Sequence, residues 1–282
     1  GLRLEILMSR LIQKNRGLGA KFVLLSAVLP RTNLGEFVEW LGSEKAINFA
    51  WRPTRLLEGV VYKETGQKIT DNRSERSRLE QFYGVEYPTL FQLEKLIKGT
   101  YFLKSKAKKA EESLNRWDIA AELALIYSRL GTVLIYCPTR EEAQNVALRF
   151  IEKSAYKKKN SSTFSKETLA RQTLLSELID DRLGKDFPLG KMIKSGVAYH
   201  HAYLPADIKK EIELAIKRGD INIVSATTTL AEGLNTPVKT VIFADVVFSV
   251  SDQDNRYKRK LLFQIDPKQF RNISGRAGRA LS

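Results

Sequence analysis

The chain has 282 residues, of which 43% are hydrophobic and 28% are charged, and its formal net charge is +15. This composition is typical of a globular protein with a substantial core, and no apolar stretch reaches the roughly 18 residues that a membrane span needs, so we expect no membrane partner. The 47 basic against 32 acidic residues favour an anionic polymer as partner, although many basic proteins bind no nucleic acid.

Metal-binding and disulfide chemistry are poorly supported by the residue types present. Cys137 is the single cysteine, so no intramolecular disulfide can form, which favours an intracellular protein. The two histidines, His200 and His201, are adjacent, and with one cysteine they do not supply the four ligands of a structural zinc site. We therefore expect no metal site built by this chain.

Residues 1–50 carry few predicted elements. Apolar residues at helical spacing predict a helix over 3–14, and no capping residue precedes it, which indicates a chain that begins inside a helix. A short apolar run predicts a strand at 21–25, followed by a helix at 33–41 and a further strand at 46–49. Two strands and two helices are too few for a complete domain, so we interpret residues 1–50 as the C-terminal part of one.

Residues 51–129 are less regular. A strand is predicted at 56–62 and a helix at 117–129. The basic run 104–109 is typical of a solvated helix face or loop, and a binding role for it stays open. We interpret 51–129 as a linker and inserted region.

Strands and helices alternate from Gly131 onward. Strands are predicted at 132–136, 196–199, 221–225 and 240–244, and helices at 140–153, 165–183, 205–217 and 267–273. Apolar strands that alternate with helices predict an α/β fold, in which helices cover both faces of a parallel sheet.

The segment Ser274-Gly275-Arg276-Ala277-Gly278-Arg279 carries the sharpest chemical signal. Two arginines three residues apart, each preceded by glycine, can project from one face of a turn. Glycine allows close backbone approach, and the arginine fork donates bidentately to phosphate. A basic loop with glycines is the alternative.

Further candidates follow predicted strands, at the edge where open α/β sheets bind ligands. Thr139 and Arg140 follow the strand at 132–136, and Thr227 and Thr228 follow the strand at 221–225. Hydroxyl and backbone N–H groups there could hold phosphates, whereas helix caps and threonine-rich turns are also ordinary structure.

Five segments in order resemble the later motifs of the superfamily-two helicases. They are Ser26-Ala27-Val28, Ile135-Tyr136-Cys137-Pro138-Thr139, His200-His201-Ala202-Tyr203-Leu204, the string from Thr229 to Pro237, and Gly275-Arg276-Ala277-Gly278-Arg279. The paired histidines before Ala-x-Leu and the string Thr-Leu-Ala-x-Gly-x-Asn are similar to the superkiller-like branch, which includes RNA-exosome and archaeal DNA-repair helicases. The resemblance covers 20–50 and 130–282, and hardly 51–129.

This resemblance implies two RecA-like domains with ATP in the cleft between them and a nucleic-acid strand across both. Residues 1–50 would be the C-terminal part of the first RecA-like domain and 130–282 the second. The protein would be cytoplasmic or associated with the nucleoid or nucleus.

The resemblance also implies roles for single residues. Arg276 and Arg279 would be arginine fingers that stabilise charge on the γ-phosphate. The other implied positions are Gly233, Asn235 and Asn272 near the nucleotide, Thr139, Arg140, His201, Thr227 and Thr228 at the nucleic acid, and Ser26 and Ala27 in coupling hydrolysis to strand movement. Asn272 departs from the glutamine that relatives often have.

The motifs that hold ATP and Mg²⁺ are absent from this sequence. No Gly-x-x-x-x-Gly-Lys-Ser/Thr string occurs, and no Asp is followed by Glu. In the family both motifs lie upstream of Ser26, so we interpret the chain as a fragment that begins just after the Asp-Glu motif. We expect it to hydrolyse no ATP alone and to need a missing N-terminal RecA-like domain.

Two other functions stay open from the sequence. A non-catalytic RecA-like module that binds nucleic acid or a partner would explain the absent ATP motifs, although two finger arginines then lack a use. A nucleotide-binding enzyme unrelated to nucleic acid is the other alternative. The sequence does not distinguish DNA from RNA, because no residue indicates a contact to the 2′-hydroxyl.

Overall fold

The computed structural model describes residues 2–15, 38–39, 59–62, 89–92, 116–152, 164–228, 238–245, 247–251 and 260–277. The chain divides into two units, Gly1–Arg52 and Pro53–Ser282. In the first unit the predicted N-terminal helix is confirmed as α1, Leu2–Asn15. The predicted strands at 21–25 and 46–49 lie outside the described residues, as do most of the predicted helix at 33–41 and the coupling residues Ser26 and Ala27.

The described part of the second unit contains strands and helices in alternation. The strands are β1 (Gly59–Tyr62), β2 (Thr89–Gln92), β3 (Val133–Tyr136), β4 (Val197–His200), β5 (Ile223–Ala226), β6 (Thr240–Phe243), β7 (Val247–Ser251) and β8 (Lys260–Gln264). The helices are α2 (Arg116–Tyr127), α3 (Arg140–Glu152), α4 (Lys166–Leu183), α5 (Pro188–Ile193), α6 (Ala206–Arg218) and α7 (Pro267–Ser274).

A four-stranded parallel sheet with the order β4-β5-β3-β6 forms the centre of this unit. The strands β3, β4 and β5 are buried along their whole length, which explains why they consist of apolar runs rather than alternating residues. The chain crosses from β3 to β4 in one direction and returns to β5 in the other. Right-handed connections therefore put α3 and α6 on opposite faces of the sheet.

The last residues of the four strands lie in one row. Tyr136 is paired with Ala226 on one side and with Phe243 on the other, and Ala226 is also paired with His200. The carboxyl ends of all four strands therefore meet at the same level of the sheet, and the loops that follow them emerge along one edge.

Polar contacts attach the helices to this sheet. The buried Ser225 hydroxyl on β5 donates a 2.6 Å hydrogen bond to the Ala143 carbonyl on α3. The buried Asp220 carboxylate receives Arg171 of α4 at 2.7 Å and Arg218 of α6 at 3.0 Å. The Gln172 side chain donates to the Asp220 carbonyl at 2.7 Å. The inserted helix α4 is therefore fixed beside the amino end of β5.

The predicted elements after Gly131 agree with the structure within a few residues, and the inserted helix is confirmed as α4. The structure adds three features that the sequence analysis missed: β2, which pairs with β1, the short helix α5, and the antiparallel pair β7–β8. Among the described helices, none combines the length and apolar character that a membrane crossing requires.

His200, the last residue of β4, is a buried histidine in the neutral form. Burial, with smaller effects of Lys209 and His201, lowers its pKa from 6.5 to about 4. Its Nε2 lies 3.3 Å from a Glu213 carboxylate oxygen, and since the imidazole is uncharged at neutral pH, this contact is polar rather than an ion pair. Protonation of His200 therefore requires either unfolding or a pH near 4.

Replacement of Ser225 by alanine tests the anchor between β5 and α3. The substitution removes the donor to the Ala143 carbonyl, and we expect a loss of about 1 kcal/mol in the free energy of unfolding, measured by denaturant titration. Thr173→Ala is the control, because the exposed Thr173 hydroxyl donates within α4, to the Leu169 carbonyl at 2.9 Å. Equal losses in the two variants would contradict the anchor.

The pH dependence of stability tests the neutral His200. The unfolded histidine titrates near 6.5, so the unfolded state binds the proton first, and stability falls as the pH drops from 6.5 towards 4. Relative to His200→Gln, the wild type should lose about 2–3 kcal/mol more between pH 7 and pH 4 in denaturant titrations. Parallel curves for the two proteins would show that His200 titrates alike in the folded and unfolded states.

Candidate functional site

The carboxyl edge of the central sheet brings together all five of the residues expected at a nucleic acid. The backbone hydrogen bonds between the strands continue one residue past the strand ends. The Cys137 N–H donates to the Ala226 carbonyl at 2.9 Å, and the Thr227 N–H donates to the His200 carbonyl at 3.3 Å. The five residues follow β3, β4 or β5 by at most a few positions: Thr139, Arg140, His201, Thr227 and Thr228.

Thr139 caps α3 through a reciprocal pair of bonds. The Glu142 N–H donates to the Thr139 hydroxyl oxygen at 3.2 Å, and the Glu142 carboxylate accepts from the Thr139 N–H at 3.2 Å and from its hydroxyl at 3.0 Å. This is a capping box, which satisfies the N–H groups of Thr139 and Glu142. The Glu142 carboxylate puts a negative charge at this helix end, so the cap itself is an unfavourable site for a phosphate.

Arg116 compensates the acidic side chains near this edge. Its guanidinium lies 2.9 Å from the Asp245 carboxylate, just after β6, and 3.9 Å from Glu142. Glu142 and Asp245 are thus paired with Arg116, whereas Arg140 forms no ion pair within the described residues.

Arg140 begins α3 and stacks on an aromatic side chain from the loop after β4. The centre of its guanidinium lies 3.7 Å from the centroid of the Tyr203 ring. Both side chains are exposed, and Tyr203 keeps 74% of its surface accessible. No role for Tyr203 could be predicted from the sequence, because nothing in the local sequence connects it with Arg140.

His201 is buried and held on two sides. Its ring stacks on Tyr199 at 5.4 Å, and its Nε2 lies 3.0 Å from the Gln144 amide nitrogen, which can only donate. Burial, followed by the charge of Arg140, lowers the His201 pKa, so the imidazole brings no positive charge to this edge.

Burial limits, to different degrees, the solvent access of two further side chains of the edge. Thr227 is buried and Thr228 is half-buried. Burial raises the pKa of the Cys137 thiol far above its usual range, so the thiol stays protonated and is a poor nucleophile. The predicted nucleotide residues Gly233 and Asn235 lie outside the described residues.

The arginine motif lies elsewhere, at the end of α7. The Gly275 and Arg276 N–H groups donate to the Arg271 and Ile273 carbonyls at 2.9 and 3.0 Å, which closes the helix. A Cβ on Gly275 would lie 2.8 Å from the Arg271 carbonyl oxygen, so this position requires glycine for close approach. Arg276 is only 8% exposed, and its surroundings therefore restrict its position.

A short backbone contact joins this motif to the amino side of β6. Ala277 forms a parallel bridge with Val238, which directly follows the segment that contains Gly233 and Asn235. The bridge places Ala277 beside the amino side of β6, and Asn272, on α7, is half-buried. Arg279 lies outside the described residues. Among the residues that are described, no group of three or more His, Cys, Asp or Glu side chains is arranged to hold a metal ion.

Comparison with known proteins gives one family match and several relatives. Residues 174–281 match the helicase conserved C-terminal domain. The chain is 28% identical to the Hachiman protein HamB of Bacillus cereus, over 99% of this chain and 23% of that protein. It is 24% identical to the ATP-dependent DNA helicase Hel308 of Methanococcus vannielii, over 99% of this chain and 31% of that protein.

A third relative matches a shorter region. The Helicase POLQ-like protein of Caenorhabditis elegans is 33% identical over 53% of this chain and 15% of its own length. The chain spans less than a third of the length of each of these three relatives. These matches, together with the parallel sheet and its covering helices, support a C-terminal fragment of a superfamily-two helicase with an α/β, RecA-like fold.

Proposed function

We propose that the chain forms the second half of the motor of an ATP-dependent nucleic-acid helicase or translocase of the superkiller-like branch. The observation that carries the proposal is the common level of the four strand ends, which collects Thr139, Arg140, His201, Thr227 and Thr228 on one edge. Such an edge is where open α/β sheets bind their ligands. The alternative of a module without hydrolysis is an outcome of the tests below.

The nucleic-acid strand is proposed to run along this edge. Arg140 is exposed and has no carboxylate partner among the described residues, so it is the strongest candidate for a phosphate contact. Thr139 and Thr228 can offer polar groups, whereas the buried His201 and Thr227 are better suited to positioning the loops. Because relatives are named DNA helicases, we favour DNA as the strand.

ATP is proposed to bind near the arginine motif at the end of α7, rather than at the nucleic-acid contacts of the carboxyl edge. Arg276 and Arg279 would stabilise the charge that develops on the γ-phosphate, with Asn272, Gly233 and Asn235 beside the nucleotide. The P-loop and the Mg²⁺ carboxylate would come from a preceding RecA-like domain, of which 1–50 is the C-terminal part, and Ser26 and Ala27 would couple hydrolysis to strand movement. Residues 51–129 would link this part to the second domain, 130–282. The protein would act in the cytoplasm or at the nucleoid or nucleus.

Replacement of Arg279 by alanine tests the finger assignment in the full-length protein. An arginine of this kind contributes about 10³–10⁵ to turnover in other phosphate-transferring motors. We expect Arg279→Ala to reduce nucleic-acid-stimulated ATP hydrolysis by several orders of magnitude, while the affinity for nucleic acid changes little. Arg279→Lys should restore little activity, because a point charge does not reproduce the bidentate fork.

Arg271→Ala is the matched control, because Arg271 is an exposed arginine on α7, the helix that precedes the motif in the chain. Its turnover should equal that of the wild type. Turnover of Arg279→Ala within a few-fold of the wild type would contradict the finger role. The same assay with DNA and RNA strands of one sequence identifies the activating nucleic acid, and no stimulation by either would favour an enzyme unrelated to nucleic acid.

A further inference from the structure

Tyr203 is an exposed aromatic side chain on a well-anchored turn. The turn closes by a 3.2 Å hydrogen bond from the Leu204 N–H to the His201 carbonyl, and the Leu204 side chain is buried. The Lys209 ammonium donates to the Ala202 carbonyl at 3.1 Å. With 74% of its surface accessible, the ring is presented to solvent from a backbone that is held on both sides.

Arg140 holds this ring on one side only. The guanidinium lies 3.7 Å from the ring centroid, so it covers one face, and the high exposure of Tyr203 leaves the other face open. Arg140 is also positioned by the capped start of α3. The two side chains thus present a flat aromatic face and a positive charge side by side, at the carboxyl edge of the sheet.

The surrounding charges suit an anionic ligand. Lys209 lies beside the turn, and the acidic side chains Glu142 and Asp245 at this edge are paired with Arg116 and, for Glu142, with the helix cap. A ligand with both a flat ring and a phosphate, such as a nucleotide unit of a single strand, matches this combination better than an apolar protein surface does.

We propose that the open face of the Tyr203 ring stacks on a base of the bound single strand, while Arg140 contacts the adjoining phosphate. This inference rests on the proposed function and deepens it, since it assigns a base contact to an edge otherwise expected to touch the backbone. Base–aromatic stacking tolerates any sequence because every base has a π-face, and the arginine adds a cation–π contribution. Tyr203 thereby makes binding depend on the bases being present.

The test compares two single strands of equal length, one with normal bases and one in which tetrahydrofuran abasic units replace the bases. Affinities are measured by fluorescence anisotropy with the full-length protein. Stacking on one base predicts that Tyr203→Ala weakens binding of the normal strand by about 5- to 150-fold. The same variant should bind the abasic strand as the wild type does, because no base is present to stack.

Two further variants complete the comparison. Tyr203→Phe keeps the ring and should bind both strands within about twofold of the wild type. Leu174→Ala changes a similarly exposed apolar side chain on α4 and should leave both affinities unchanged. This helix lies at the opposite end of β5, where its Gln172 side chain donates to the Asp220 carbonyl.

The outcomes separate the inference from the function on which it rests. If the wild type binds the normal strand and Tyr203→Ala binds it equally well, the stacking contact is refuted and the proposed function stands. An equal loss on both strands also refutes stacking, and indicates that the ring positions Arg140 or contacts protein. If the wild type binds neither strand, the proposed function fails and the inference fails with it.

Discussion

The in-register pairing of four parallel strands is the constraint on which the candidate site depends. The pairs Tyr136–Ala226, Tyr136–Phe243 and Ala226–His200 put the four strand ends at one level, although they are distant in sequence. A shift of one residue in any pair would turn the side chains of that strand to the other face of the sheet. Because the side chains of β3, β4 and β5 are packed on both faces of the sheet, such a shift would require them to repack. This packing therefore fixes the level of the strand ends.

The charge at this edge comes from side chains rather than from a helix end. Glu142 occupies the start of α3, Arg116 pairs with Asp245, and burial keeps the imidazole of His201 neutral. Arg140 is consequently the positively charged side chain that an incoming phosphate can contact at the start of α3. The same burial that orders the loops therefore restricts which of the motif residues can act on a ligand directly.

Much of this arrangement could be predicted from the sequence, because β3 to β6 are apolar runs and α3 and α6 have helical periodicity. The motif strings also pointed to Arg276 and to the residues after the strands. The helix α5 could not be predicted in this way, since it has six residues and contains Gly190. The contacts Arg140–Tyr203 and Gln144–His201 were equally inaccessible, because they depend on how α3 lies against the loop after β4.

Aromatic packing joins the two surfaces that the motifs define. Phe243, at the carboxyl end of β6, contacts Tyr136 with ring centroids 5.4 Å apart and Phe270 of α7 with centroids 4.5 Å apart. Tyr136 directly precedes the loop that leads to Arg140, and α7 leads to Arg276. Because protein interiors are close-packed, α7 cannot move relative to β3 without repacking these rings. Phe243 therefore connects β3, which leads to the carboxyl edge, with α7, which leads to the arginine motif.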